Sequence, residues 1–262
     1  MADPINVISE IRGSVVATAN LNLRQGAPNT TAPIVRKVAR GSVLFATRLV
    51  EGQSIAGNTQ WYCGEGDVYF WAGAVGAVAT DPPPVGGLNV PRRANGTIRP
   101  LRDSQIRAAY GDLRVTELAG GRVKLDPTWV TDNIVEIIVP ELESTGTSTI
   151  QIHKKAQESF SRVFKEIANQ GLASSILTFG GTWVPRHMGW MATRGLSSHT
   201  WGIAIDLNVA WNGYGNVPAA HGVHGSVRQL VAIFESEGFA WGGYFEPLSI
   251  CDGMHFELAI TS

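Results

Sequence analysis

The sequence predicts a multidomain chain: a small all-β barrel in front and an α+β domain behind, with an antiparallel sheet and flanking helices. Three observations predict it. Residues 13–80 hold short runs rich in Val, Leu, Phe, Tyr and Trp, broken by Gly, Asn and Pro, with no helical period. Residues 81–96, DPPPVGGLNVPRRANG, are dominated by proline and glycine and read as a semi-rigid linker. Residues 97–262 mix helical and strand periodicities, which is the α+β signature.

In the front part the strand candidates are SVVATANLNLR, APIVRKVARGSVLFATRLV, TQWYCG and DVYFWAGAV. Short strands joined by turns favour a closed barrel, which removes sheet edges. In the rear part, IHKKAQESFSRVFKEIANQG carries Ile152, Ala156, Phe160, Val163, Phe164 and Ile167 at helical spacing, with Gly171 as the stop. A second helix starts at Ser226, where Ser226 and Gln229 form a capping-box pattern and Gly238 ends the stripe. Strands are expected at 176–179, 202–208 and 254–260.

The composition narrows the function. Hydrophobic residues make up 44% and charged residues 16% of 262, so the chain should bury a core. With a net charge of −1 and no basic block, nucleic acid is disfavoured as a partner, because phosphate binding needs clustered Lys and Arg. Two cysteines far apart, Cys63 and Cys251, make neither a disulfide framework nor a cysteine zinc site. The start, MADPINVISE, has no charged n-region or apolar h-region, so no signal peptide is expected. No 18-residue apolar run exists, so no membrane span is expected. A monomer is the expected state.

The chemistry gathers in two stretches. In SSHTWGIAIDLN, residues 197–208, Ile203, Ile205 and Leu207 share one strand parity while Ala204, Asp206 and Asn208 share the other. In MHFELAI, residues 254–260, Phe256, Leu258 and Ile260 oppose His255, Glu257 and Ala259. If the two strands are neighbours, His199, Asp206 and His255 converge. Catalytic zinc takes three such ligands and leaves a position for water, whose pKa falls towards about 7. Seven residues of straight strand would span roughly 23 Å, so His199 and Asp206 share an ion only if the chain bends at Thr200–Gly202. A hydrolase also needs a base, and Asp252, three residues before His255, is the candidate. Arg186 is the cation candidate for a substrate carboxylate or oxyanion.

SSHTWGIAID fits the SxHxxGxAxD signature of zinc peptidases that cut peptidoglycan stem peptides, and DGMH fits their second signature. Residues 150–262 thus resemble the D-alanyl-D-alanine carboxypeptidase and L-alanyl-D-glutamate peptidase family, including its endolysin-like members. The resemblance implies one Zn2+ per chain on His199, Asp206 and His255, Asp252 as base, and substrate binding by Arg186. Many relatives use glutamate as base. The aspartate tilts the reading towards endopeptidase cleavage of stem peptides, with D-alanyl-D-alanine carboxypeptidase as the alternative. The usual tyrosine-arginine-serine run around the arginine is altered here to TWVPRHM. ATANLNLRQGAPNTTAPIVRKVARGSVL, with Gly41 and the aromatic pairs Trp61-Tyr62 and Phe70-Trp71, resembles a bacterial SH3-like domain, implying cell-wall binding. The expected place of action is the cell wall.

Other residues carry weaker expectations. Ser197, Trp201 and Trp241 are candidate substrate contacts, and Glu257 a partner orienting a ligand histidine. His153 reads as a surface or helix-contact residue on a helix, His221 and His224 as loop histidines, and His187 as lining the cleft or simply exposed. A cysteine-histidine nucleophile at Cys251 would leave Asp206 and Asp252 without a purpose. The reading from another class is a catalytically silent zinc module in a wall-binding adaptor.

Overall fold

The computed structural model describes residues 5–40, 42–64, 66–76, 89–93, 96–220 and 223–261. Gly41, His221 and most of the expected linker, residues 81–88, 94 and 95, lie outside the described residues.

The front part is all-β. Among the described residues its strands are β1 (Val7–Val16), β2 (Leu21–Gln25), β3 (Ile34–Val38), β4 (Val43–Ile55), β5 (Asn58–Cys63) and β6 (Val68–Trp71). They form one antiparallel sheet in the order β1-β4-β5-β6-β2-β3. β1 starts at Val7, earlier than the expected 13, because Val7 already pairs with Val50. The sheet turns back on itself where Ala17 bridges Val75. There the Gly76 N–H donates to the Val16 carbonyl at 2.8 Å. Among the described residues no ladder joins β3 to β1, so the structure does not bear out the closed barrel. Alternate side chains (Leu21, Leu23, Leu44, Ala46, Tyr62, Phe70) fill its core.

The rear part starts with α1 (Asp103–Tyr110), the hairpin of β7 (Val115–Glu117) and β8 (Val123–Leu125), α2 (Pro127–Asn133), and the hairpin of β9 (Ile134–Ile138) and β10 (Thr149–His153). Then come α3 (Gln157–Asn169), β11 (Phe179–Gly181), β12 (Ala204–Leu207), α4 (Val209–Asn212), α5 (Arg228–Ser236), β13 (Phe239–Trp241) and β14 (His255–Leu258). Four of these make the main sheet, in the order β11-β12-β14-β13.

Two expectations are corrected here. Ile152 lies within strand β10, which ends at His153, rather than starting a helix, and helical backbone begins after His153. The expected strand at 176–179 is displaced to 179–181. The reason is Asn208, whose Oδ1 accepts the Leu177 and Thr178 N–H groups at 2.7 and 3.1 Å, in place of a ladder.

Packing then positions the site. Phe160, Val163, Phe164 and Ile167 of α3 and Leu230, Val231 and Phe234 of α5 are buried against the sheet. Phe234 stacks on Phe256 at 4.1 Å, and Phe160 meets Phe239 edge-on at 4.9 Å. Each such side chain contributes about 1.5–3 kcal/mol on burial. Ile205, Leu207, Phe256 and Leu258 face this core, so parity forces Ala204, Asp206, His255 and Glu257 onto the opposite face.

Candidate metal centre

β12 and β14 pair antiparallel, with Asp206 directly opposite His255 and Ala204 opposite Glu257. Directly opposed residues have Cβ atoms about 5 Å apart, so the register alone brings the two side chains together. His199 arrives by a different route. Residues Ser198–Trp201 form a 3-10 turn, and Gly202 closes it at φ 70°, ψ 33°. This is the bend the spacing demanded. A Cβ at Gly202 would stand 2.9 Å from the His153 nitrogen and about 3.1 Å from the Ile152 backbone. Only glycine fits both the dihedral and the space.

The three donor atoms form a compact triangle. His255 Nδ1 lies 2.9 Å from Asp206 Oδ1, His199 Nε2 lies 3.1 Å from the same oxygen, and the two ring nitrogens are 3.2 Å apart. Tetrahedral zinc ligands at about 2.0–2.1 Å sit roughly 3.3 Å from one another, so the triangle has the size of one face of such a site. The outer ring atoms set the tautomers. His199 Nδ1–H donates to the Thr182 carbonyl at 2.9 Å, which leaves the Nε2 lone pair free. His255 Nε2 lies 3.2 Å from Glu257 Oε2 and 3.3 Å from Ser198 Oγ. Donation from Nε2 to Glu257 leaves the Nδ1 lone pair aimed at the triangle.

The electrostatics call for a cation here. Burial pushes the Asp206 carboxyl up, but the two imidazoles outweigh it and hold Asp206 far below the usual carboxylate range. Burial lowers His255, yet hydrogen bonds to Asp206 and Glu257 raise it well above an ordinary imidazole. Glu257 is likewise held down by His255 against its own burial. Two buried carboxylates therefore demand positive charge between them. Beside them, Asp252 Oδ1 is buried with no hydrogen-bond partner among the described residues. Burial pushes the Asp252 carboxyl up to about 6, tempered by His255, His199 and Arg186 and reinforced by Asp206. Asp252 is fixed by its backbone: its N–H donates to Gly242 O at 2.9 Å, and its carbonyl accepts the His255 N–H at 3.0 Å. Donor chemistry, triangle size and the orphaned oxygen together fit a metal ion.

Residues 191–258 match the D-alanyl-D-alanine carboxypeptidase family model. The match spans His199, Asp206, Asp252 and His255 and stops short of Arg186. The matched segment is metallopeptidase domain sequence, and it carries the buried His199–Asp206–His255 triad. No curated protein and no solved structure matches the chain.

The remaining candidates of the metallopeptidase domain take varied places. Arg186 Nη2 lies 4.0 Å from Asp206 Oδ2, and its guanidinium sits 5.1 Å from the Trp190 ring centroid. Trp201 and Trp241 do not line a cleft as expected. Both are fully buried, and their indole N–H groups donate to the Gly111 and Gly253 carbonyls, each at 2.8 Å. Ser197 is also buried, and its Oγ caps the His199 N–H at 3.4 Å, so it is occupied within the turn. His187 is neither exposed nor free: its ring contacts the Arg194 carbonyl at 2.6 Å and Glu117 at 2.9 Å. His153 ends strand β10 rather than lying on a helix, and it is buried in contact with helix α1 rather than on the surface, with Nε2–H donating to Tyr110 O and Nδ1 accepting the Lys155 N–H, both at 3.1 Å. His224 packs edge-on against Trp211 at 5.1 Å. Cys251 donates to Gly243 O at 3.6 Å, and burial and Asp252 push its thiol up, against thiolate chemistry.

Three residues escaped the sequence reading. Thr182 orients His199 through its backbone, which leaves no side-chain signal. Trp190 is half exposed beside Arg186, and the run TWVPRHMGW placed it there in plain sight. Asn208 holds φ 53° and donates to Ser175 O at 2.8 Å and Gly225 O at 3.1 Å, clasping the end of β12.

Proposed function

We propose that the chain is a zinc-dependent hydrolase of peptidoglycan stem peptides, with an SH3-like wall-binding module in front. The carrying observation is a buried His-Asp-His triad with an unpaired carboxylate oxygen, Asp252 Oδ1, at its side. Residues up to about 80 form the wall-binding module, 81–96 the linker and 97–262 the catalytic domain. His199, Asp206 and His255 hold the ion, and Glu257 orients His255.

Zinc bound there would supply a Lewis acid and lower the pKa of a water towards about 7. Asp252 takes the proton of the attacking water at its free oxygen and returns it to the leaving amine. A carboxyl raised by burial is well matched to both halves of that exchange. Arg186 holds a substrate carboxylate or the developing oxyanion. Trp190, stacked on Arg186, keeps the guanidinium extended beside Asp206.

The favoured bond lies between L-alanine and a D-acidic residue, because the base is an aspartate. The matched family model favours the second reading, removal of a terminal D-alanine. Mass spectrometry of muropeptides after digestion separates the two. A new amino terminus on the D-acidic residue supports the endopeptidase, and loss of one D-alanine supports the carboxypeptidase. Unchanged muropeptides with zinc-loaded protein, alongside retained wall binding, would support the silent adaptor instead.

A further inference from the structure

A cavity of about 290 Å³ lies between the β2–β3 hairpin and the chain leading into α5. Leu23, Val35 and Arg36 line it from the front part, and Leu177, His224 and Gln229 from the rear. None of the metal-centre residues reaches it. Among the described residues, Arg36 Nε and Nη1 are buried there with no hydrogen-bond partner, and so is Gln229 Oε1. Burial pulls the Arg36 guanidinium down to about 10, and no acidic group offsets it. No lining residue is an aspartate or a glutamate. Guanidinium stays protonated in proteins, so this is a standing, largely buried charge without a counter-charge among the described residues. Buried charges are otherwise paired, and a native orphan of this kind calls for a ligand.

We propose that this cavity binds a compact carboxylate-bearing ligand of dipeptide size, its carboxylate on Arg36 and an N–H on Gln229 Oε1. The volume sits at the lower end of small-molecule sites, which run from about 300 to 1,000 Å³. One cation matches one monoanion. A dianion would leave one charge unmatched, since Arg36 is the one Lys or Arg among the described lining residues. Gln229 Oε1 can only accept, so the group next to the carboxylate must donate. Leu23, Val35 and Leu177 suit a methyl-sized side chain. Because both parts of the chain line the cavity, the ligand also ties the front sheet to the metallopeptidase domain. The proposal does not rest on the metal chemistry.

The test follows the Arg36 Nε–H resonance in the full-length protein during titration with N-acetyl-alanyl-alanine, which is a monoanion, its C-terminal amide and inorganic phosphate. Arg36→Lys assigns the signal. The expected result is a saturable shift with N-acetyl-alanyl-alanine alone, weakened about fivefold by Gln229→Met, which removes one neutral hydrogen bond. Arg36→Met should abolish the rise in melting temperature that the dipeptide causes, and should melt no lower than the native protein without ligand. No saturable shift, or an equal response to the amide or to phosphate, overturns the proposal. So does a marked loss of stability in ligand-free Arg36→Met, which would make Arg36 a structural residue.

Discussion

Gly202→Ala should cripple the metal centre from outside it. Gly202 has φ 70°, where an L-residue costs about 1–2 kcal/mol. The added Cβ would also stand 2.9 Å from His153 N, a backbone atom of β10. That atom cannot simply rotate away, because its N–H donates to the Gly202 carbonyl at 2.9 Å. Overpacking of this kind adds about 1–3 kcal/mol. The sum, roughly 2–5 kcal/mol, would lower the melting temperature by about 5–15 °C for a domain of this size. The damage is specific in kind, since the turn carries His199 to within 3.1 Å of Asp206. Zinc affinity should fall with stability, by about tenfold for each 1.4 kcal/mol assigned to ligand misplacement. Thermal unfolding with and without zinc, plus chelator competition, measures both. A variant as stable as the native protein, with unchanged zinc affinity, would refute the claim that this bend assembles the site.

Other expectations follow from individual residues. Asp252→Asn should lower kcat by about 10²–10⁴ while leaving zinc affinity near native, as kinetics and chelator competition would show. The acid limb of kcat/KM should track Asp252 and lie at or below about 6, since burial raises its carboxyl to that value and a bound cation draws it down; a limb insensitive to Asp252→Glu would contradict this. His153 is held neutral by burial, at about 4 against an ordinary 6.5. The unfolded chain therefore binds more protons between those values, so this contribution is complete above pH 6.5 and is lost as pH falls towards 4, by at most about 3 kcal/mol. Urea unfolding at pH 4 and 7 should show a smaller difference in His153→Gln. Trp201→Phe should leave KM unchanged and cost about 1–3 kcal/mol, because it strands the Gly111 carbonyl rather than removing a substrate contact.

The site was legible where periodicity and spacing are local. The alternation in 203–208 and 255–260 identified two half-polar strands, and their register then needed only to be antiparallel with Asp206 opposite His255. The seven-residue gap between His199 and Asp206 demanded a bend, and a glycine stood where one was needed. Illegible features depended on contacts distant in sequence. Ile152 shares the apolar spacing of α3 but pairs with Val135 in a hairpin, a partner no helical pattern reveals. Asn208 looked like one more polar-face residue, yet it replaces a stretch of ladder and displaces β11. The glycines around Trp201 and Trp241 suggested an open cleft. In fact the indole N–H groups donate to the carbonyls of Gly111 and Gly253, glycines distant in sequence, and the tryptophans belong to the core. The front strands were evident from composition, but their closure depends on pairing between β3 and β1, which no single strand encodes.

The central claim is that His199, Asp206 and His255 hold one catalytic zinc. X-ray absorption at the zinc edge of the full-length protein, with metal stoichiometry measured on the same sample, tests it most directly. The account predicts about one zinc per chain, two imidazole nitrogens and light oxygen ligands at about 2.0–2.1 Å, and loss of that signature in His255→Ala. A sulfur shell from Cys251, or stoichiometric zinc that survives His255→Ala unchanged, would contradict it.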